Sequence, residues 1–172
     1  NLNRQIQALH STLDKSKAEV IGERLQNINP EIKLNIINEF IRDDRMIDIL
    51  SSDYDYVVDA IDTLAPKVFL IYHCLQKGLK IISSLGAGGK IDPSLIQVSD
   101  ISKSYGCPLG RMLRKRLHKL KIYKGFKVVF SPEKIDKSSE KAVEETNKKT
   151  TLGTISYLPP IFGGFCDCVV IR

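Results

Sequence analysis

The chain has 172 residues, 42% of them hydrophobic and 27% charged, a net charge of +6 and four cysteines. That length can fill one core, and the composition is ordinary for a globular domain, so a single domain is expected. No run of eighteen apolar residues and no charged-then-apolar leader is present, so neither a membrane span nor a secretory signal is read here, and a cytoplasmic protein without a membrane partner is the expectation.

The charge is unevenly placed. Residues 101–132 contain nine Lys or Arg and no Asp or Glu, which leaves −3 for the rest of the chain. Such asymmetry points to a polyanionic partner more than a uniform excess would. Cys74, Cys107, Cys166 and Cys168 form no C-x-x-C pair, so reduced thiols and no structural zinc are expected.

In chain order, the polar opening Asn1-Leu2-Asn3-Arg4-Gln5 precedes an amphipathic helix from Lys15 to Ile28. Ala18, Ile21, Leu25 and Ile28 recur there at helical spacing, and Asn29-Pro30 stops it. Lys33 to Phe40 reads as a strand, Asp44 to Leu50 as a short helix, and Tyr56 to Ile61 as a buried, β-branched strand ending at Asp62. Leu64, Val68, Ile71 and Leu75 mark one face of a helix that ends at Gly78, and the strand Leu79 to Ser84 runs into Gly86-Ala87-Gly88-Gly89.

A strand near Leu95 to Ser99 follows, then a basic helix from Pro108 to Lys121 with Leu109, Leu113, Leu117 and Leu120 as its buried stripe, then a strand at Lys127 to Phe130. Residues 133–151 are polar without periodicity and read as a mobile loop, after which Pro159-Pro160 leads into an apolar helix. Alternating strands and helices predict a Rossmann-like, doubly wound α/β fold with a mainly parallel sheet and helices on both faces. Such a sheet usually begins with a strand and a Gly-rich phosphate loop. This chain opens on a polar loop, so a first βαβ unit is expected to be missing from it.

The amide of Asn1, the guanidinium of Arg4, the ammonium of Lys17 and the carboxylate of Asp62 all lie near the ends of predicted elements. These are the groups a site needs to hold a nucleotide triphosphate and its metal. Each has a plainer reading beside this one: Lys17 as a solvated helix residue, Asp62 as a helix cap, Arg4 and Gln5 as loop surface. The glycine run 86–89 lacks the Lys-Ser/Thr of a phosphate loop and reads first as a tight turn. His10, His73 and His118 share no spacing with a carboxylate and are given no catalytic or metal role.

The opening Asn1 to Gln5, the helix beginning near Lys17-Ala18-Glu19, Ile28-Asn29-Pro30 and Val58-Asp59-Ala60-Ile61-Asp62 occur in the order that resembles the ubiquitin-activating-like adenylating superfamily, which includes the ThiF and MoeB proteins. Within it, the segment from Gly86 to Ser94, Gln97 to Ile101, Pro108-Leu109 before a basic helix and Phe130-Ser131-Pro132-Glu133 resemble the tRNA threonylcarbamoyladenosine dehydratase branch.

The resemblance implies an enzyme that uses ATP and magnesium to adenylate the threonyl carboxylate of the modified nucleoside in tRNA and promote its cyclisation. It implies that Asn1 contacts the nucleotide, that Arg4 reaches the phosphates, commonly across a homodimer interface, that Lys17 neutralises phosphate charge, and that Asp62 holds magnesium or helps position the reacting groups. It also implies Gln5 as a candidate for orienting the loop. The basic residues Arg111, Arg114, Lys115 and Lys119 are expected to contact the tRNA backbone. The family's nucleotide loop should precede Asn1, so the chain alone is expected to bind ATP poorly. Cys107 stands where this branch often has an acidic residue. Some relatives use a cysteine after this part of the fold to carry a thioester or persulfide, with Arg111 and Lys103 available to favour its thiolate, but an incidental substitution is the preferred reading. Two alternatives remain: an adenylyltransferase or sulfur-transfer enzyme acting on a ubiquitin-like carrier protein, and a truncated dimerisation module without catalysis.

Overall fold

A computed structural model of the chain describes residues 2–135, 140–145 and 148–172; for 140–145 and 148–151 the description is of the backbone alone. Four β-branched or small-residue segments form one sheet: β1 (Val57–Asp59), β2 (Ile81–Ser84), β3 (Gln97–Asp100) and β4 (Lys127–Phe130). Their spatial order is β1-β2-β4-β3, with β1, β2 and β4 parallel and β3 antiparallel to β4. The sheet is therefore mixed and mainly parallel, as the alternation of elements predicts.

The helices are α1 (Lys17–Ile28), α2 (Asp43–Ile49), α3 (Leu64–Gln76), α4 (Pro108–Lys119) and α5 (Leu158–Ile171). Successive side chains of a strand point to opposite faces, and here they feed two cores. Ile81, Val128 and Phe130 pack with Ile71 and Cys74 of α3 and Leu113 and Leu117 of α4, whereas Ile82 and Val129 pack with Leu158, Phe162 and Cys166 of α5. Helices thus cover both faces, α3 and α4 on one and α5 on the other. Among the described residues, no helix is long and apolar enough to cross a membrane.

Three expectations are corrected. Residues 33–40 form no strand, although Ile32 and Leu34 alternate with exposed neighbours. A strand exists only through ladder bonds to a neighbour, and none is offered to this segment by the described residues; Ile36 instead packs on Gly22 of α1. The stretch 133–151 is not structureless throughout, because β5 (Glu140–Glu145) pairs antiparallel with β6 (Lys148–Leu152), with a register shift between Ala142 and Glu145. Residues 136–139 and 146–147, part of the same expected loop, lie outside the described residues. Leu120 is 43% exposed rather than buried, since α4 ends at Lys119 and Leu120 is its C-cap; Gly110, Leu113 and Leu117 are the buried positions.

Candidate active site

Parallel strands of an open sheet present their carboxyl ends to one edge, where ligands of such folds bind. β1 leaves the sheet at Asp59 and turns through Ala60, Ile61 and Asp62 into α3. β2 leaves at Ser84 and turns through Gly86 to Gly88. Between these two turns lies a cavity of about 620 Å³ whose walls include Arg4, Gln5, Lys17, Asp62, Ser84, Gly86, Leu109 and Thr154. That volume is in the range of ordinary small-molecule sites.

Four of the residues singled out in the sequence therefore meet although they are dispersed along the chain. Asn3 Nδ2 donates to the Thr154 carbonyl at 3.1 Å, and its side-chain oxygen accepts from Arg4 at 3.1 Å, so the opening loop is tied to the segment after β6. Lys17 enters the cavity wall from the first turn of α1, whose N-cap Ser16 accepts from the Glu19 amide. Thr63 Oγ1 donates to Asp62 Oδ1 at 3.3 Å. Asn1 lies outside the described residues.

The donor set fits a nucleotide triphosphate with its metal. Two cations and one carboxylate share the cavity wall, and Gln5 Oε1 is buried with no hydrogen-bond partner among the described residues. A buried acceptor left without a donor costs about 1–3 kcal/mol, which a ligand donor would relieve. Asp62, an exposed carboxylate at the mouth of a helix turn, is the group that could hold magnesium.

The glycine loop is clamped from three sides. Lys90, 1% exposed, donates to the carbonyls of Ser131 at 2.5 Å and Glu133 at 3.0 Å, while the Glu133 carboxylate accepts from the amides of Ile91 at 2.9 Å and Asp92 at 3.0 Å. Burial pulls the Lys90 ammonium below its ordinary value, and Cys107 and Glu133 act against that. Tyr157 donates to the Ile91 carbonyl at 2.8 Å, and the Gly89 amide to the Gly153 carbonyl at 2.7 Å. Gly89 has φ +70°, which confirms the tight-turn reading of this run.

Beneath the cavity floor is a feature that sequence reasoning missed. Lys67 Nζ lies 2.7 Å from Asp59 Oδ2, with both side chains wholly buried, and Ser83 Oγ donates to the same oxygen at 2.6 Å. Burial lowers the Lys67 ammonium from its ordinary value, and the neighbouring Asp59 and Asp62 carboxylates oppose that shift. The signal was available: Lys67, Ile71 and Cys74 are the buried residues of α3, so the lysine stands at a core position of the helical repeat.

On α4, Arg111, Lys115 and Lys119 are exposed, while Arg114 is half-buried and donates to Ser104 Oγ. Cys107 is the N-cap of α4, 3% exposed, and its sulfur accepts from the Gly110 amide at 3.4 Å.

A mainly parallel α/β sheet with cations and a carboxylate gathered beyond its carboxyl edge is the class of fold that binds small ligands at its strand ends. The ThiF family model matches residues 1–171, and the chain belongs to that family. It is similar to the tRNA threonylcarbamoyladenosine dehydratase of Escherichia coli (strain K12), 43% identical over 117 residues, covering 68% of this chain and 44% of that protein. The enzyme of the same name from Haemophilus influenzae is 44% identical over 119 residues, covering 69% and 46%. Among solved structures, the E. coli tRNA N6-threonylcarbamoyladenosine dehydratase TcdA in complex with ATP superimposes with a TM-score of 0.88 at 33% identity, covering 99% of this chain and 68% of that one. The matched part of the chain spans about half the length of these curated relatives.

Proposed function

We propose that the chain is the catalytic part of an ATP-dependent tRNA threonylcarbamoyladenosine dehydratase. The observation that carries this is the convergence of Arg4, Gln5, Lys17 and Asp62 on one cavity beyond the ends of β1 and β2. The names of the relatives supply the substrate.

A carboxylate is a poor electrophile until one of its oxygens becomes a good leaving group. Attack of the threonyl carboxylate on the α-phosphorus of ATP expels pyrophosphate, and attack within the modified nucleoside then expels AMP and closes the ring, with net loss of water. The protein's contribution is positioning and charge neutralisation. Lys17 and Arg4 hold the triphosphate and stabilise the charge that builds on it, Gln5 accepts a hydrogen bond from the bound nucleotide, and Asp62 holds magnesium, which when bound neutralises phosphate charge. Asn1, at the start of the same loop, contacts the nucleotide. Arg111, Lys115 and Lys119 hold tRNA phosphates. Arg114, already engaged with Ser104, adds charge to that face.

A homodimer is part of the proposal. Leu9, Leu13, Leu25 and Ile28 leave the apolar surface of α1 and the segment before it largely uncovered, as a partner-covered face would. The reading in which Cys107 carries a thioester to a carrier protein draws no support from its buried, capping position.

Lys17→Ala and Asp62→Ala in the full-length protein are each expected to abolish AMP formation while leaving the melting transition in place. Normal turnover in either variant would remove the site assignment.

A further inference from the structure

Asp62 reaches the cavity from the four-residue connection between β1 and α3, and short turns hold a side chain only as firmly as their own backbone is held. Ile61, the residue immediately before it, has both polar backbone groups captured by buried side chains. Its amide donates to Asp59 Oδ1 at 2.9 Å, and its carbonyl accepts from Lys67 Nζ at 2.7 Å. The carbonyl of Ile61 and the amide of Asp62 belong to one rigid peptide plane, so fixing the first fixes the second. The two captors are themselves joined at 2.7 Å, and Ser83 of β2 holds Asp59 in turn, which links β1, β2 and α3 through one network.

We propose that Lys67 is a positioning residue for Asp62: paired with Asp59, it clamps Ile61 and sets where the Asp62 carboxylate enters the cavity. The role rests on reading that cavity as the adenylation site. A wholly buried ion pair is a poor device for stability, because an apolar pair of similar volume is often neutral or better. An apolar pair could not grip the Ile61 amide and carbonyl, and that grip is what the charged pair adds beneath the cavity.

The same comparison supplies the test, made in the full-length enzyme. Replacing both partners, Asp59→Leu with Lys67→Met, removes the clamp and leaves no unpaired buried charge. This double variant is expected to melt at or near the parent temperature, to show kcat for AMP release lowered roughly 10- to 100-fold, as for other residues that orient a metal ligand, and to lose most of the tightening that magnesium gives to ATP binding in calorimetry. Lys67→Arg, which keeps a donor to Ile61, is expected to recover part of the rate. A folded double variant with parent turnover and parent magnesium dependence would overturn the proposal.

Should the double variant not fold, Ser83→Ala is the milder probe. It removes one hydrogen bond to Asp59 and is expected to lower kcat roughly fivefold with KM for ATP unchanged; an unchanged kcat counts against the role. Asp62→Ala run alongside separates the two readings: parent turnover in Asp62→Ala defeats the site itself, whereas an inactive Asp62→Ala beside a fully active double variant defeats only the part assigned to Lys67.

Discussion

Lys67 occupies a position that helical periodicity assigns to the core, and it stays there because Asp59, itself held by Ser83, and the Ile61 carbonyl satisfy it. Loss of one partner from such a pair costs about 3–5 kcal/mol, so Asp59→Ala alone is expected to lower the chemical-denaturation midpoint sharply; a midpoint within error of the parent would contradict the burial of the pair. The cysteines show the same dependence on surroundings. Burial pushes the Cys74 and Cys166 thiols up to about 11, with nearby carboxylates adding to the shift, whereas Cys168 on the same helix as Cys166 is exposed. Native alkylation followed by peptide mapping is expected to label Cys168 first and Cys74 and Cys166 last. The sequence singled out Arg4, Lys17 and Asp62 through the family resemblance and the suitability of their groups for a nucleotide, and the fold brings all three to one cavity. Sequence reasoning passed over Lys67 and Asp59, because a charge inside an apolar helix reveals its role only when its partner, distant along the chain, is in view.

At the scale of elements, strands and helices with strong periodicity were legible and their supports were not. The spans of β4 and α2 agree with the sequence reading to within a residue, since Val128, Val129 and Phe130 leave little choice and Asp43 and Asp44 suit a first helical turn. The stretch 33–40 misled because alternation states only which face a strand would bury, not whether a neighbour exists. The β5–β6 hairpin was hidden by polar residues that alternate with nothing apolar.

Turns carry much of the remaining specification. Gly106 has φ +68°, and a Cβ there would lie 2.5 Å from the Pro132 carbonyl oxygen, a backbone atom that cannot swing aside. Gly106→Ala is therefore expected to destabilise the fold by about 2 kcal/mol or more, read as a shift in denaturation midpoint. Asp100 ties β3 to the turn before β4. Burial would raise its carboxyl, but hydrogen bonds from Ser102 and the Gly125 amide, with the Lys103 charge, outweigh that and hold it below the usual carboxylate value. Its contribution is present above the unfolded value and lost as pH falls through the lowered folded one. Asp100→Asn is thus expected to flatten the acid limb of stability below about pH 4, and an unchanged limb would contradict the assignment.

For the whole molecule, the +9 held by residues 101–132 is spread over α4, the turns around it and the start of β4, with Arg111, Lys115 and Lys119 facing solvent. Reversing these three to Glu in the full-length protein is expected to weaken tRNA binding, most at low salt, and to reduce the salt dependence while ATP binding is unchanged. Equal tRNA affinity across that series would reduce the basic face to a solubility feature. The fold class was legible as a whole because strand and helix alternate along the chain. The cavity was legible only as a set of residue types, since its shape depends on the Gly89 turn, the Lys90–Glu133 clamp and the docking of Asn3 on Thr154, all contacts between segments far apart in sequence.

The most direct test of the central claim is ATP-dependent AMP release by the full-length protein, compared with threonylcarbamoyl-modified tRNA, unmodified tRNA and a carrier protein ending in Gly-Gly. Release stimulated by the modified tRNA alone is the predicted result. Stimulation by the carrier protein, or no release with any of the three, would contradict it.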